Sequence, residues 1–166
     1  MTEKRRVFIR EHLYKHAGHI QQIEFEFIDD LQSESTPVQR NYNLWLTQDH
    51  YTKTIIHRYG HRANRMPAFE EYINAIRALI AGHCCPEHEL RRVFKIYDQN
   101  GNGLIELKEF YRLISIIGRS ATEEKISNFI ERVNMNDDRS MNYEQFKQFV
   151  QLGHGRDMLI NVSMSQ

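Results

Sequence analysis

The sequence predicts an all-α chain built from paired helix-loop-helix units. Three observations carry that prediction. Apolar residues between positions 86 and 152 recur at three- and four-residue steps, the period of a helix with one buried face. Two polar breaks, one rich in Gly and Asn and the other in Asn and Asp, divide that stretch into two hairpins. The first break also carries an ordered run of oxygen-bearing side chains that an ordinary helical turn does not require.

After Pro86, residues Leu90, Val93, Phe94 and Tyr97 form the stripe of the first helix, and Phe110, Leu113, Ile114 and Ile117 that of the second. Gly118 ends the second helix. Ser120 is expected to open the third, with Glu123 three residues on completing a capping box for the exposed N–H groups of the first turn. Ile126, Phe129, Ile130 and Val133 supply its buried face, and the stripe resumes after Asn134 at Phe146, Phe149 and Val150. The first half has less regular periods. Helices are expected over 5–28, 41–46, 48–59 and 68–82, separated by loops at 29–40 and 60–67 that hold Pro37 and Pro67, with Trp45, Tyr42, Leu44 and Leu46 as an internal apolar cluster. The run Ala81-Gly82-His83-Cys84-Cys85-Pro86 marks a boundary. The expected organisation is an N-terminal lobe over 1–82, a linker over 83–86, a C-terminal pair over 87–152 and a mobile tail over 153–166.

Within the first break, Asp98, Asn100, Asn102, the carbonyl of Leu104, Glu106 and Glu109 occupy positions 1, 3, 5, 7, 9 and 12 of a twelve-residue loop, and Gly103 stands at position 6. This is the spacing of an EF-hand calcium loop, in which carboxylates supply charge, amides and a carbonyl supply neutral oxygens, and glycine permits the sharp turn. Ile105 at position 8 is placed to pair with a neighbouring loop. Three carboxylates with two Asn amides carry less charge than an acid-rich site, so the expected calcium affinity is in the sensor range or weaker.

The second loop starts 36 residues later, with Asn134, Asn136, Asp138, the Ser140 carbonyl, Asn142 and Gln145 at the ligand positions and Arg139 where glycine belongs. Gln145 offers one neutral oxygen where a bidentate carboxylate is needed, and Arg139 brings a Cβ and a cation to the turn. This loop is expected to bind no calcium and to pair structurally, through Met141, with Ile105.

Pro86-Glu87-His88-Glu89-Leu90-Arg91-Arg92-Val93-Phe94, the loop from Asp98 to Glu109, and Met141-Asn142-Tyr143-Glu144-Gln145-Phe146 together make residues 86–152 resemble the C-terminal lobe of calmodulin, troponin C and the myosin light chains. The resemblance implies a lobe of two EF-hands packed back to back, offering an apolar groove to an amphipathic helix of another protein. The first half then looks like a degenerate N-terminal lobe. Phe69-Glu70-Glu71-Tyr72-Ile73 is similar to the exit of a second hand, with Glu71 at position 12; counting back puts Gly60, Arg62 and Asn64 at positions 1, 3 and 5, Arg65 at the glycine slot and Pro67 at position 8. Phe25 and Asp29 serve as anchor and loop start of a first hand, which places Leu31 and Arg40 at ligand positions. Neither loop is expected to hold calcium.

With 22 Lys+Arg against 22 Asp+Glu, no global field draws the chain to nucleic acid or anionic lipid. Its apolar runs are too short and interrupted to span a membrane. The two cysteines, Cys84 and Cys85, are adjacent, which disfavours a disulfide and fits a reducing, cytoplasmic setting. His12, His16 and His19, then His57 and His61, then His83, Cys84, Cys85 and His88 raise a zinc reading that competes with plain solvated faces. Arg58, Arg62 and Arg65 share a face that fits either an anionic partner or solvent. Without a phosphate loop, nucleophile elbow or Cys/His catalytic arrangement, the chain is expected not to be an enzyme. The reading is a calcium-binding, calmodulin-like or light-chain-like regulatory subunit with one working site, a monomer held on a larger dedicated protein partner. The alternative is a structural adaptor whose partner contact is independent of calcium.

Overall fold

A computed structural model describes residues 4–32, 37–134 and 138–164. The chain divides into two compact units, Met1–Lys53 and Thr54–Gln166. The expected linker at 83–86 therefore falls inside the second unit.

The first unit departs from the all-α expectation. Strands β1 (Lys4–His16), β2 (His19–Gln32) and β3 (Pro37–Thr47) form an antiparallel sheet in the order β1-β2-β3. The helices expected over 5–28 and 41–46 are strands. Along β2, Ile23, Phe25 and Phe27 are buried and separated by Glu24 and Glu26, which is the two-residue alternation of a strand with one covered face. Ile23 is paired with Leu46 and Phe25 with Leu44, so the buried positions of β2 and β3 line up across the ladder. Trp45, between those two leucines, points to the other face and is 47% exposed, which corrects its expected internal packing. The β1–β2 turn uses Ala17 and Gly18, both at positive φ (51° and 83°). Such two-residue turns are usually announced by Asn-Gly or Asp-Gly, so an Ala-Gly pair hides the hairpin from a sequence reading. The expected first EF-hand is likewise corrected: Asp29 and Leu31 lie in β2 and Arg40 in β3.

α1 (Gln48–Tyr59) runs across the boundary between the units. The second unit continues with a 3₁₀ turn (Gly60–Arg65), α2 (Phe69–Ala81), a second 3₁₀ turn (Gly82–Cys84) and α3 (Glu87–Tyr97). Then come β4 (Ile105–Glu106), α4 (Leu107–Ile117), α5 (Glu123–Ile130), β5 (Ser140–Met141), α6 (Tyr143–Gln151) and α7 (His154–Met164). The helices expected at 48–59 and 68–82 match α1 and α2. Glu71 falls in the first turn of α2 as the second hand requires, yet the preceding segment is a 3₁₀ turn with Arg62 and Arg65 in its last turn, and no side chain caps α2. Gly118 caps the end of α4 as expected. α5 is capped by Thr122, whose hydroxyl accepts from the Lys125 N–H at 3.2 Å, rather than by Ser120, whose own N–H donates to the Val162 carbonyl at 3.0 Å.

The core of this unit is an aromatic stack. Tyr97 meets Phe110 (ring centroids 4.9 Å) and Phe146 (5.8 Å), and Phe110 meets Phe149 (5.7 Å), all with no exposure. The buried Tyr97 hydroxyl is satisfied by donating to the Ala75 carbonyl at 2.8 Å, which ties α3 to α2. The segment expected as a tail holds α7. Met158, Leu159 and Val162 are spaced as one helical face and fully buried, and α7 packs against α2, α5 and α6. Among the described residues, no helix is long and apolar enough to cross a membrane.

Candidate metal centre

The loop between α3 and α4 is built from its own hydrogen bonds. Asp98 ends α3 and is 9% exposed; its Oδ1 accepts from the Asn102 N–H (3.2 Å) and its Oδ2 from the Gly103 N–H (2.9 Å). Gly103 stands at φ 85°, a conformation that costs a side-chain-bearing residue, which is why position 6 needs glycine. Glu109, 5% exposed, accepts from the Asn100 N–H through Oε1 (3.1 Å) and from the Glu106 N–H through Oε2 (3.0 Å). The second of these bonds is half of a capping box that starts α4. Glu106 Oε1 accepts from the side-chain amides of Asn100 (3.3 Å) and Asn102 (2.9 Å). All six predicted ligand positions, Asp98, Asn100, Asn102, Leu104, Glu106 and Glu109, thus lie in one loop, five of them through side-chain oxygens and Leu104 through its carbonyl.

Among the described residues no three His, Cys, Asp or Glu side chains converge as a metal centre, this loop included. The reason is visible in the loop: its three carboxylates are spread over backbone and amide donors, and two of the five side-chain donors of oxygen are Asn. The donor set is all oxygen, with three negative charges, two amides and a backbone carbonyl, which fits a hard cation of calcium's size and suits neither zinc nor copper. Asn100 and Asn102 are exposed, so rotating each amide to present its oxygen is not blocked by packing.

The loop between α5 and α6 is closed differently. Asn134, 6% exposed, donates its side-chain amide to Asp138 Oδ1 (2.5 Å) and to the Ser140 carbonyl (2.6 Å). Those acceptors are at positions 5 and 7, so one amide nitrogen from position 1 joins oxygens that a cation would otherwise join. The hydrogen bond from Asn134 is also the main cause holding the Asp138 carboxyl below its usual 3.8. Arg139 sits at φ 52°, the left-handed region that glycine fills more easily. Asn142 and Gln145 form a reciprocal capping box, each at 2.9 Å, so Gln145 here starts a helix. Asn136 lies outside the described residues. The two loops meet in the expected ladder, Ile105 opposite Met141 and Glu106 opposite Ser140, extended by the Leu107 N–H donating to the Arg139 carbonyl at 3.1 Å.

Comparison with known proteins matches an EF-hand domain pair to residues 87–151. These residues are an EF-hand pair. Similar proteins include the putative calmodulin-like protein 6 of Oryza sativa subsp. japonica, 34% identical over 61 residues, 37% of this chain and 36% of that one. Guanylyl cyclase-activating protein 1 of Gallus gallus is 26% identical over 116 residues, 66% of this chain and 57% of that one. The 16 kDa calcium-binding protein of Schistosoma mansoni is 28% identical over 83 residues, 50% of this chain and 57% of that one. The matched region thus spans from about a third to just over half of the length of these relatives. The matched residues are thus similar to the EF-hand pairs of calmodulin-like proteins.

The other sequence-marked clusters are rearranged by the fold. His12 lies on β1 and His19 on β2, so they share no helix face; His12 Nε2 is 3.4 Å from Glu26 Oε2. His57 is on α1 but His61 is in the following 3₁₀ turn. Both cysteines are free thiols, Cys84 exposed with its sulfur 3.5 Å from His83 Nε2 and Cys85 buried. Of the Arg58, Arg62 and Arg65 face, Arg58 donates to Ser115 Oγ at 2.7 Å. The sequence reading missed Asn134 as a loop-closing donor and missed the packing of α2 and α7 on the EF-hand pair. α2 packs on α3 and α6, and α7 on α5 and α6, so helices of the same chain lie against the EF-hand helices. The Met158, Leu159, Val162 spacing was the signal for α7, obscured by Gly153 and Gly155 just before it.

Proposed function

We propose that the chain is a calcium-binding regulatory subunit with one working site, Asp98–Glu109, that engages an amphipathic helix of a dedicated protein partner in the cytoplasm and is not an enzyme. The observation that carries this reading is the contrast within the EF-hand pair. One loop has the full oxygen set with exposed, rotatable amides, and the other has its centre filled by a buried Asn134 amide. In the first, Asp98, Asn102, Glu106 and Glu109 would hold the cation with Asn100 and the Leu104 carbonyl, and the ion would supply charge that draws Glu109, and so the start of α4, toward the loop. A relative named for activating guanylyl cyclase supports regulation over mere calcium storage.

Calorimetric titration of the chain with calcium tests the reading, with stoichiometry as the readout. One ion bound by the wild type and none by Glu109→Gln are the expected results; two ions would overturn the single-site count. The packing of α2 and α7 against the EF-hand helices favours a second reading, an adaptor whose partner contact lies elsewhere and ignores calcium. Partner affinity unchanged by calcium and by Glu109→Gln would establish the adaptor.

A further inference from the structure

A cleft of about 360 Å³ opens between the chain entering α2 and the end of α3. One wall is Arg65, Met66, Pro67 and Glu71; the other is Lys95, Ile96 and Gln99. The walls are joined where Gln99 Nε2 donates to Met66 Sδ at 3.7 Å. Met66, Pro67, Ile96 and Gln99 are half-buried, whereas Arg65, Glu71 and Lys95 are exposed. An apolar lining is thus combined with two cations and one carboxylate.

The two cations lack the compensation their neighbours have. On α3, Arg91 pairs with Glu87 at 3.1 Å and Arg92 lies 3.7 Å from Glu89, each within one helical turn. Lys95 has Arg91 and Arg92 at the corresponding positions before it and Gln99 one turn after it. Arg65 ends its 3₁₀ turn with His61 and Arg62 before it and Ala68 and Phe69 after it. Among the described residues neither Arg65 nor Lys95 forms an ion pair.

The charge pattern selects the ligand. A phosphate, with roughly two negative charges, meets Glu71 as well as the cations and leaves the apolar lining uncovered. A carboxylate carries a single charge, which Arg65 and Lys95 can share through charge-assisted hydrogen bonds. Glu71 then calls for an N–H donor beside that carboxylate, and Met66, Pro67 and Ile96 call for an apolar group. The last residue of a peptide chain supplies all three. A free amino acid has the same parts, but sites for small molecules enclose most of the ligand, and a cleft with exposed charged walls does not.

We propose that this cleft captures the carboxyl terminus of another polypeptide whose last residue is apolar, a recurring mode of peptide recognition. Arg65 and Lys95 hold the terminal carboxylate, Glu71 accepts the N–H of the last residue, and its side chain lies on Met66, Pro67 and Ile96. None of these residues is a predicted calcium ligand, so the inference stands apart from the calcium reading.

NMR titration of the isotope-labelled full chain with acetyl-Gly-Gly-Leu tests this, read at the amide signals of Met66, Ile96 and Gln99. These signals are expected to shift with the free-acid peptide. The C-terminal amide of the same peptide is expected to bind about tenfold more weakly, and a peptide ending in Gly weaker by about the same factor. Arg65→Gln and Lys95→Gln are each expected to weaken the free acid about tenfold and to leave the amide form unchanged. Both side chains are exposed, so the substitutions keep the fold. Equal binding of acid and amide would overturn the carboxylate assignment, and free leucine binding as tightly as the peptide would overturn the chain-end assignment. Signals unmoved by every probe overturn the proposal as a whole.

Discussion

In the loop Asp98–Glu109 the Glu106 carboxylate takes its hydrogen bonds from the side-chain amides of Asn100 and Asn102, both exposed, whereas in the loop starting at Asn134 the bridging amide is itself buried. Both loops end in a reciprocal capping box, and they share one ladder. The difference is what must be displaced. An exposed amide exchanges its protein acceptor for water at small net cost, while withdrawing the Asn134 amide would take a donor from the buried Ser140 carbonyl. Charge then reinforces geometry, since Glu109 brings a negative charge where Gln145 brings none.

The comparison is broken most severely by Glu109→Gln, which makes position 12 the same in both loops. Calcium affinity is expected to fall from about the micromolar range toward about the millimolar range, followed by isothermal calorimetry. Asn134→Asp combined with Arg139→Gly and Gln145→Glu works in the opposite direction, and the same titration should then show two ions in place of one. Asn134→Ala removes the bridging amide alone. It should destabilise the second unit by about 1–3 kcal/mol in chemical denaturation and leave calcium stoichiometry unchanged. Arg139→Gly relieves a positive φ and should stabilise by about 1 kcal/mol in the same assay. The smallest effect is on Asp138. Its carboxyl is held below 3.8 chiefly by Asn134, so the contribution to stability is present above the unfolded-state value and is lost as pH falls through the lower folded value. An NMR pH titration should show Asp138 protonating below 3.8 in the wild type and closer to it in Asn134→Ala.

The EF-hand pair was readable because its constraints are local. A ligand spacing, a glycine at the tight turn and a helical stripe all fall within a dozen residues, and Ile105 and Met141 met as their loop positions required. The function of Asn134 was not readable, because an Asn at position 1 looks like a weakened ligand until its amide is seen to face Asp138 and Ser140. The first unit was misread for a different reason. Ile23, Phe25 and Phe27 alternate cleanly, but the irregular periods around them fit helices as well as strands, and Ala17-Gly18 gave no warning of a hairpin. α7 lacked a start signal: its first helical residues include Gly155, and a helix that opens on glycine relies on burial of Met158, Leu159 and Val162 for stability rather than on propensity.

The paired cysteines offer an experimental handle. Cys84 is exposed on the 3₁₀ turn that touches α6, while Cys85 is buried against Pro86, where desolvation and then Glu89 push its thiol pKa up. Thiolate chemistry discriminates between the two without mutagenesis. A maleimide dye added to the native chain is directed to a single atom, Cys84 Sγ, beside the helix that leaves the second loop. The protein can thus be given a spectroscopic probe in its wild-type form.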